Sequence, residues 1–295
     1  MSAKMDAAIE RLRMASKLSE DMYGKPLTVC YSGGKDSQVL VSLAIKAGIP
    51  FKARHSLTTV DAPETVMTVK RTFDALMDRG IDAAIIKPEL TMWRLIVKKK
   101  TPPTRLIRYC CKYLKESGNV RGEFIATGVR RSESGKRKAR GVVDALAESL
   151  KARLAFSDEV FLSNDNSENR RQLERCMAKN AMCVNPIIDW TDADVFAYFN
   201  AECRINNPLY AEGFYRVGCI GCPMAGTRGR MREFARWPKY ERAYKRAFGK
   251  MLRARAAAGM ETKWGSVDEV FHWWMEDGWC KDQMELWEVD DGEDD

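Results

Sequence analysis

A doubly wound, mostly parallel α/β sheet with a helical, basic C-terminal extension is the fold class this sequence predicts. Two observations carry that prediction. Apolar runs of strand length alternate with amphipathic runs of helix length between residues 27 and 127, and a glycine pair lies at the first passage from strand to helix. A third bounds it: there is no internal repeat, and 295 residues with 45% hydrophobic content are enough for one large core with a smaller attachment.

The elements follow in order. Met5 to Met22 places Ile9, Leu12 and Leu18 at helical spacing, and Gly24 and Pro26 end that helix before the apolar strand Leu27 to Tyr31. Ser37 to Ala47 is a compact apolar helix closed by Gly48, followed by a strand at Phe51 to Leu57. A helix over Glu64 to Arg79, a strand over Ala83 to Lys87, a helix over Thr91 to Lys99 and a strand over Glu123 to Thr127 continue the alternation. Such a sheet takes its ligand at the carboxyl ends of its strands. The segment Arg130 to Arg140 is basic and polar, order returns near Val184 to Asp189, and Trp190-Thr191-Asp192-Ala193-Asp194 reads as a capped helix start.

From Arg228 to Arg255 there are eleven Lys or Arg against two Glu, with Phe234, Trp237, Tyr240, Tyr244 and Phe248 three or four apart and Pro238 opening a helix. The spacing reads first as an aromatic stripe packed on the protein beneath a solvated basic face. A nucleic-acid groove using exposed aromatics is the competing reading. The expected organisation is an N-terminal helix (1–25), a catalytic domain (26–226), a helical basic region (227–287) and an acidic tail (288–295). That tail holds six of the 41 acidic residues, so the rest of the chain is more basic than the formal charge of +8, and a polyanionic partner is expected. No apolar run approaches the roughly 20 residues of a bilayer helix, and Met1 to Lys17 is charged throughout. The expected setting is the cytoplasm, without a membrane.

The chemistry concentrates in Ser32-Gly33-Gly34-Lys35-Asp36-Ser37. A loop between strand and helix offers unpaired amides and the positive end of the helix dipole, and Gly33 and Gly34 let a phosphate approach the backbone. Ser32 and Ser37 supply hydroxyls, Lys35 a mobile positive charge, and Asp36 a group that orients the loop or contacts a metal-bound water. The G-x-x-x-x-G-K-[ST] spacing is absent, which disfavours γ-phosphate chemistry.

Nine cysteines without a secretory leader point to thiols, metal ligands or core residues more than to a disulfide framework. Cys110-Cys111 and Cys219-Ile220-Gly221-Cys222 together would offer four thiolates, a set that suits a [4Fe-4S] cluster or zinc, while some could be buried thiols without a metal. Cys30 is read as core. Cys176, Cys183, Cys203 and Cys280 receive no role, and His55 and His272 are read as structural.

The hexapeptide behind its apolar strand resembles the PP-loop of the ATP pyrophosphatases, which cleave ATP between the α and β phosphates. Asp61-Ala62-Pro63-Glu64-Thr65, Arg108-Tyr109-Cys110-Cys111-Lys112, Thr127-Gly128-Val129-Arg130-Arg131-Ser132-Glu133-Ser134 and Asn185-Pro186-Ile187-Ile188-Asp189-Trp190 resemble the phosphoadenosine phosphosulfate reductase branch of that superfamily, over most of Leu27 to Met224. The resemblance implies an adenine nucleotide alpha hydrolase-like fold, with Gly128 among the nucleotide-binding residues and Arg130 and Arg131 near anionic groups, where guanidinium forks suit phosphate or sulfate oxygens. The vicinal cysteines with the C-x-x-C resemble the cluster pattern of adenylylsulfate reductases and favour [4Fe-4S] over zinc.

Two departures direct the expectation. The loop is intact, whereas it is usually degenerate in the reductases, and the chain carries no Glu-Cys-Gly-Leu-His type motif for the nucleophilic cysteine. The resemblance then implies an enzyme using ATP and Mg²⁺ to adenylylate an acceptor for sulfur transfer, with Lys35, Asp36, Arg130 and Arg131 catalytic. The combination looks most like the sulfur-transfer ATPases of DNA phosphorothioation and phage-type members of the reductase family, and less closely like enzymes that thiolate tRNA. A nucleic-acid acceptor, a cysteine desulfurase as sulfur donor and a homodimer are the expected partners. A sulfonucleotide reductase releasing sulfite, and a non-catalytic nucleotide- or nucleic-acid-binding component of a phage or defence system, are the alternatives.

Overall fold

The computed structural model of the protein describes residues 2–115, 122–146, 154–162, 167–179 and 181–276. Cys280, the end of the expected basic region and the acidic tail lie outside them. The chain begins with α1 (Ser2–Tyr23), β1 (Leu27–Cys30), α2 (Lys35–Ala47), β2 (Phe51–Ser56), α3 (Pro63–Met77) and β3 (Ala83–Ile86). It continues through α4 (Met92–Lys99), α5 (Tyr109–Leu114), β4 (Phe124–Ala126), the short α6 (Gly135–Lys138), β5 (Val143–Leu146) and β6 (Leu154–Phe156). After α7 (Asp158–Leu162), α8 (Glu168–Lys179), β7 (Ala181–Val184) and α9 (Asp192–Glu202), it ends in α10 (Gly226–Arg236), α11 (Pro238–Ala257) and α12 (Val267–Met275). No helix among the described residues is long and apolar enough to cross a membrane.

Two compact units are assembled from interleaved stretches of chain. The first comprises Met1–His55, Pro63–Ile86 and Asn119–Val217, and the second Ser56–Ala62, Lys87–Gly118 and Gly218–Asp295. The first unit holds a seven-stranded sheet in the order β3-β2-β1-β4-β7-β5-β6. β1 runs parallel to β2 and β4, and β4 parallel to β7, whereas β5 is antiparallel to both β7 and β6. This is the doubly wound, mostly parallel sheet that the alternation predicts, and its strands are short apolar runs because helices cover both faces.

The second half of the sheet is where the pattern carried no strand signal. β5 reads Val-Asp-Ala-Leu, and its Asp144 is fully buried, a residue type that strands ordinarily exclude. It is accommodated because Arg140 pairs with it at 2.9 Å and the Asn185 amide donates to it at 3.0 Å. Asn185 also donates to the Gly141 carbonyl and accepts from Thr127 at 2.7 Å, so the Asn-Pro-Ile-Ile-Asp-Trp segment closes the sheet behind β4. The order expected over Val184 to Asp189 is thus the end of β7 at Val184 followed by a turn.

Local signals placed the starts of α4, α9 and α11, whereas α5, α7, α8, α10 and α12 had none that was read. Thr91 caps α4 by accepting from the Arg94 amide, and Thr191 with Asp194 forms a reciprocal capping box at the start of α9. Pro238 occupies the first turn of α11. In the second unit α11 packs on α4 and α12. The aromatic stripe of α10 and α11 faces inward: Phe234, Trp237, Tyr244 and Phe248 are buried, with Trp274 beside Tyr244 at 4.7 Å between ring centroids, and Tyr240 is half-buried with its hydroxyl donating to the Asp61 carbonyl.

Candidate functional site

The glycine loop leaves β1 and enters α2 within the first unit. Gly33 has φ of +76°, in the left-handed region, and a Cβ there would meet the Thr65 Cγ2 at 2.7 Å, so both the conformation and the space call for glycine. Asn207, itself buried, donates to the Gly33 carbonyl at 3.0 Å and to Thr65 at 3.1 Å, pinning the loop from below. Ser37 is turned into the loop: its hydroxyl accepts from the Ser32 amide, lies 3.1 Å from the Ser32 hydroxyl and donates to the Gly34 carbonyl. Gly34 precedes α2 in extended conformation with no side-chain cap. The Lys35 amide donates to the Tyr210 hydroxyl at 2.7 Å. A first helical turn without a side-chain cap is suited to an anion.

A charged network lies beside the loop. Arg130, with 1% of its surface exposed, donates through Nε to Asp36 and through Nη2 to Asp192, each at 2.7 Å, and through Nη1 to Ser132. Its guanidinium is held charged against the cost of burial by Asp36 and Asp192. Lys35 donates to the other Asp36 oxygen at 3.0 Å, lies 3.7 Å from Asp192, and is flanked by the rings of Phe196 and Tyr215 at 5.2 and 5.6 Å. Tyr215 hydrogen-bonds Asp192 and, with Arg130, lowers that carboxyl below its ordinary range. Gly128 is required by proximity, since a Cβ there would come within 3.0 Å of the Asp36 backbone.

The structure therefore brings Ser32, Gly33, Gly34, Lys35, Asp36, Ser37, Gly128 and Arg130 together. Arg131 goes elsewhere: it is exposed and donates to the Arg140 carbonyl at 3.2 Å. Both Asp36 oxygens accept from cationic side chains, so this carboxylate orients Lys35 and Arg130 beside the loop. Asp192, Asn207, Tyr210 and Tyr215 complete the site without having been singled out. Only Asp192 had a usable signal, its place in the capped Trp190–Asp194 start.

The thiols assemble in the second unit. Cys110 and Cys111 open α5, and the Cys110 thiol is pushed well above the usual range by its hydrogen bond to Cys111, by burial and by the sulfurs of Cys111, Cys219 and Cys222. Cys219 forms an isolated antiparallel bridge with Asp61 and donates to the Thr58 hydroxyl at 3.4 Å. Gly221, at φ of +74°, turns the chain where a Cβ would strike Tyr244 and Phe234, and its amide donates to Glu233. The Lys115 ammonium, one helical turn beyond Cys111, is raised by Cys219 first and by Cys111, Cys222 and Asp61. Four thiols and a cation thus share one neighbourhood. Among the described residues, however, no three His, Cys, Asp or Glu side chains converge tightly enough to hold a single metal ion. Four thiols in one neighbourhood are donors that suit an iron–sulfur cluster or zinc.

The chain is 29% identical over 233 residues to an uncharacterized protein of Methanocaldococcus jannaschii, a match covering 74% of this chain and 41% of that one. It spans about two fifths of the length of each of the two archaeal proteins it matches. An adenosine 5'-phosphosulfate reductase of Burkholderia cepacia is 39% identical over 64 residues, 22% of this chain and 26% of that protein. The crystal structure of a phosphoadenylyl-sulfate reductase from Candida auris superposes with a TM-score of 0.48 at 17% identity, over 72% of this chain and 88% of that one. The model of the phosphoadenosine phosphosulfate reductase domain matches residues 26–225, from the strand before the glycine loop to just past the C-x-x-C, and the chain belongs to that family.

Proposed function

We propose that this chain cleaves ATP between its α and β phosphates and uses the adenylate to activate an acceptor for sulfur transfer. The observation that carries the reading is the loop itself, with glycine enforced at 33, an uncapped Gly34 at the mouth of α2, and Lys35 and Arg130 poised beside it. An acceptor oxygen attacks the α phosphorus, the bridging bond to the β phosphate breaks, and pyrophosphate leaves; a sulfur nucleophile then displaces AMP from the acceptor. Negative charge grows on the leaving pyrophosphate, where the loop amides and Lys35 supply positive potential without reorganising. Asp36 and Asp192 hold Lys35 and Arg130 in place.

Cys110, Cys111, Cys219 and Cys222 are the residues that would hold a [4Fe-4S] cluster, which when bound would carry the incoming sulfide. The acceptor proposed is a nucleic acid, in keeping with 49 Lys and Arg in a chain of net charge +8, and the sulfur donor a cysteine desulfurase. Pyrophosphate release from ATP and Mg²⁺ tests the reading. Lys35→Ala is expected to lower it by about 10² to 10³, as for loss of one donor to a developing oxyanion. Wild-type protein that makes no pyrophosphate with any nucleic acid, under anaerobic conditions with iron and sulfide supplied, would overturn it.

The gathered thiols and the matched reductase segments favour a second reading, reduction of a sulfonucleotide to sulfite. Sulfite release from labelled adenylylsulfate and a dithiol, without ATP, would establish it in place of the first.

A further inference from the structure

The cations of α11 divide into two sets. Lys245 pairs with Glu241 and Asp268, and Arg255 is buried and donates to the carbonyls of Lys100 and Glu261. These belong to the packing of the second unit. Lys239, Arg242, Arg246, Lys250 and Arg253 are exposed, and none has an ion-pair partner among the described residues.

Helical geometry shows that the second set is one feature. At about 100° per residue, the five positions fall within roughly 80° of arc and extend about 21 Å along the axis. The buried residues Tyr244, Ala247, Phe248 and Met251 occupy the opposite side of the same helix, which fixes the cationic row outward. Glu241, the one acidic residue of α11, lies outside the arc and is already paired with Lys245. Five charges in register at intervals of about one turn, unpaired among the described residues, repel one another, at a cost that burial of the other face offsets.

We infer that this row is a docking surface for the phosphodiester backbone of a nucleic acid, gripped by charge and not by base stacking. Its chemistry separates that occupant from a protein. Protein interfaces centre on apolar and aromatic side chains. Here the aromatics of α10 and α11 are turned inward and the outward row is cationic, as in nucleic-acid interfaces. Evenly spaced cations along one face of a helix match a polymer with evenly spaced anions. The inference rests on the proposal of a nucleic-acid acceptor and adds where, and by which groups, such an acceptor is held.

Binding of the full-length protein to a mixed-sequence single strand and to its duplex, without ATP, tests it across a salt series. Arg242→Ala/Arg246→Ala/Arg253→Ala should reduce the slope of log K against log salt by about 2.7 on duplex and about 2.1 on single strand, equally for unrelated sequences. A control of equal charge loss on the first unit, Lys17→Ala/Lys70→Ala/Arg71→Ala, should change it by less than about 1. The corresponding triple Arg→Lys variant should keep the wild-type slope, which separates lost charge from lost folding. Equal effects of the two alanine triples, no salt-dependent binding by the wild type, or equally tight binding of polyglutamate would each overturn the inference. Pyrophosphate release measured on the same proteins keeps the two claims apart: turnover with an unchanged slope removes the surface alone, and a shifted slope without turnover removes the ATP reading alone.

Discussion

Replacing Arg130 by methionine probes the network that aligns the glycine loop. Arg130 is almost wholly buried and holds two carboxylates at 2.7 Å, Asp36 and Asp192, whose side chains retain 24% and 43% exposure. Breaking a buried ion pair by removing one partner costs about 3–5 kcal/mol, and the partial hydration left to these carboxylates puts the expected loss at about 3 kcal/mol. Asp36→Asn keeps the shape, leaves Arg130 with Asp192, and should cost about 1.5 kcal/mol, the value of one charge-assisted hydrogen bond. In the double variant one stranded carboxylate is gone, so the combined loss should be about 3 kcal/mol, leaving a coupling of about 1.5 kcal/mol. Urea unfolding followed by circular dichroism, with a transition fitted for each compact unit, measures these differences. Losses that add within about 0.5 kcal/mol would refute the argument that Asp36 is positioned by Arg130.

Three further outcomes are expected. Gly33→Ala should destabilise the first unit by about 2 kcal/mol, since it meets both a positive φ and the Thr65 methyl, and Thr65→Ser should restore part of the loss by removing that methyl; no restoration would leave backbone strain as the whole effect. Asp194, whose pKa is lowered by the hydrogen bond from Lys4 and then by those from Thr191, contributes stability that is complete above the ordinary carboxylate range and is lost as pH falls through its lowered folded value. Asp194→Asn should therefore cost about 1 kcal/mol at pH 7 and progressively less below about pH 4, in urea midpoints taken across that range. Anaerobic reconstitution with iron and sulfide should give the protein visible iron–sulfur absorbance, and Cys110→Ser or Cys222→Ser should each lose most of it; a colourless wild type free of iron would remove the cluster from the proposed function.

The loop and the elements on either side were legible because their signals are local. A strand, a glycine pair and a helix are adjacent in sequence, and the caps at Thr91 and Thr191 lie within one turn of what they cap. The remainder of the site came from a distance. Arg130 reaches Asp36 across 94 positions, Asn207 reaches Gly33 across 174 and Tyr210 reaches Lys35 across 175, with no periodicity linking them. Arg130 and Arg131 were indistinguishable as neighbours in a basic stretch; the backbone buried one against two carboxylates and left the other on the surface, bonded to a carbonyl.

By itself the sequence determined an α/β sheet, a phosphate-ready turn between β1 and α2, the family, and an inventory of four candidate thiols, because propensity, glycine conformation and motif spacing act over a few residues. Tertiary structure alone decided that Asp144 could sit inside β5, that segments 56–62 and 87–118 join the C-terminal region in one compact unit, and that the aromatics of α10 and α11 turn inward while five cations of α11 turn out. The physical reason is common to these cases. Whether a charge is buried or exposed, and which partner offsets the burial, depends on groups that meet only when the chain has folded.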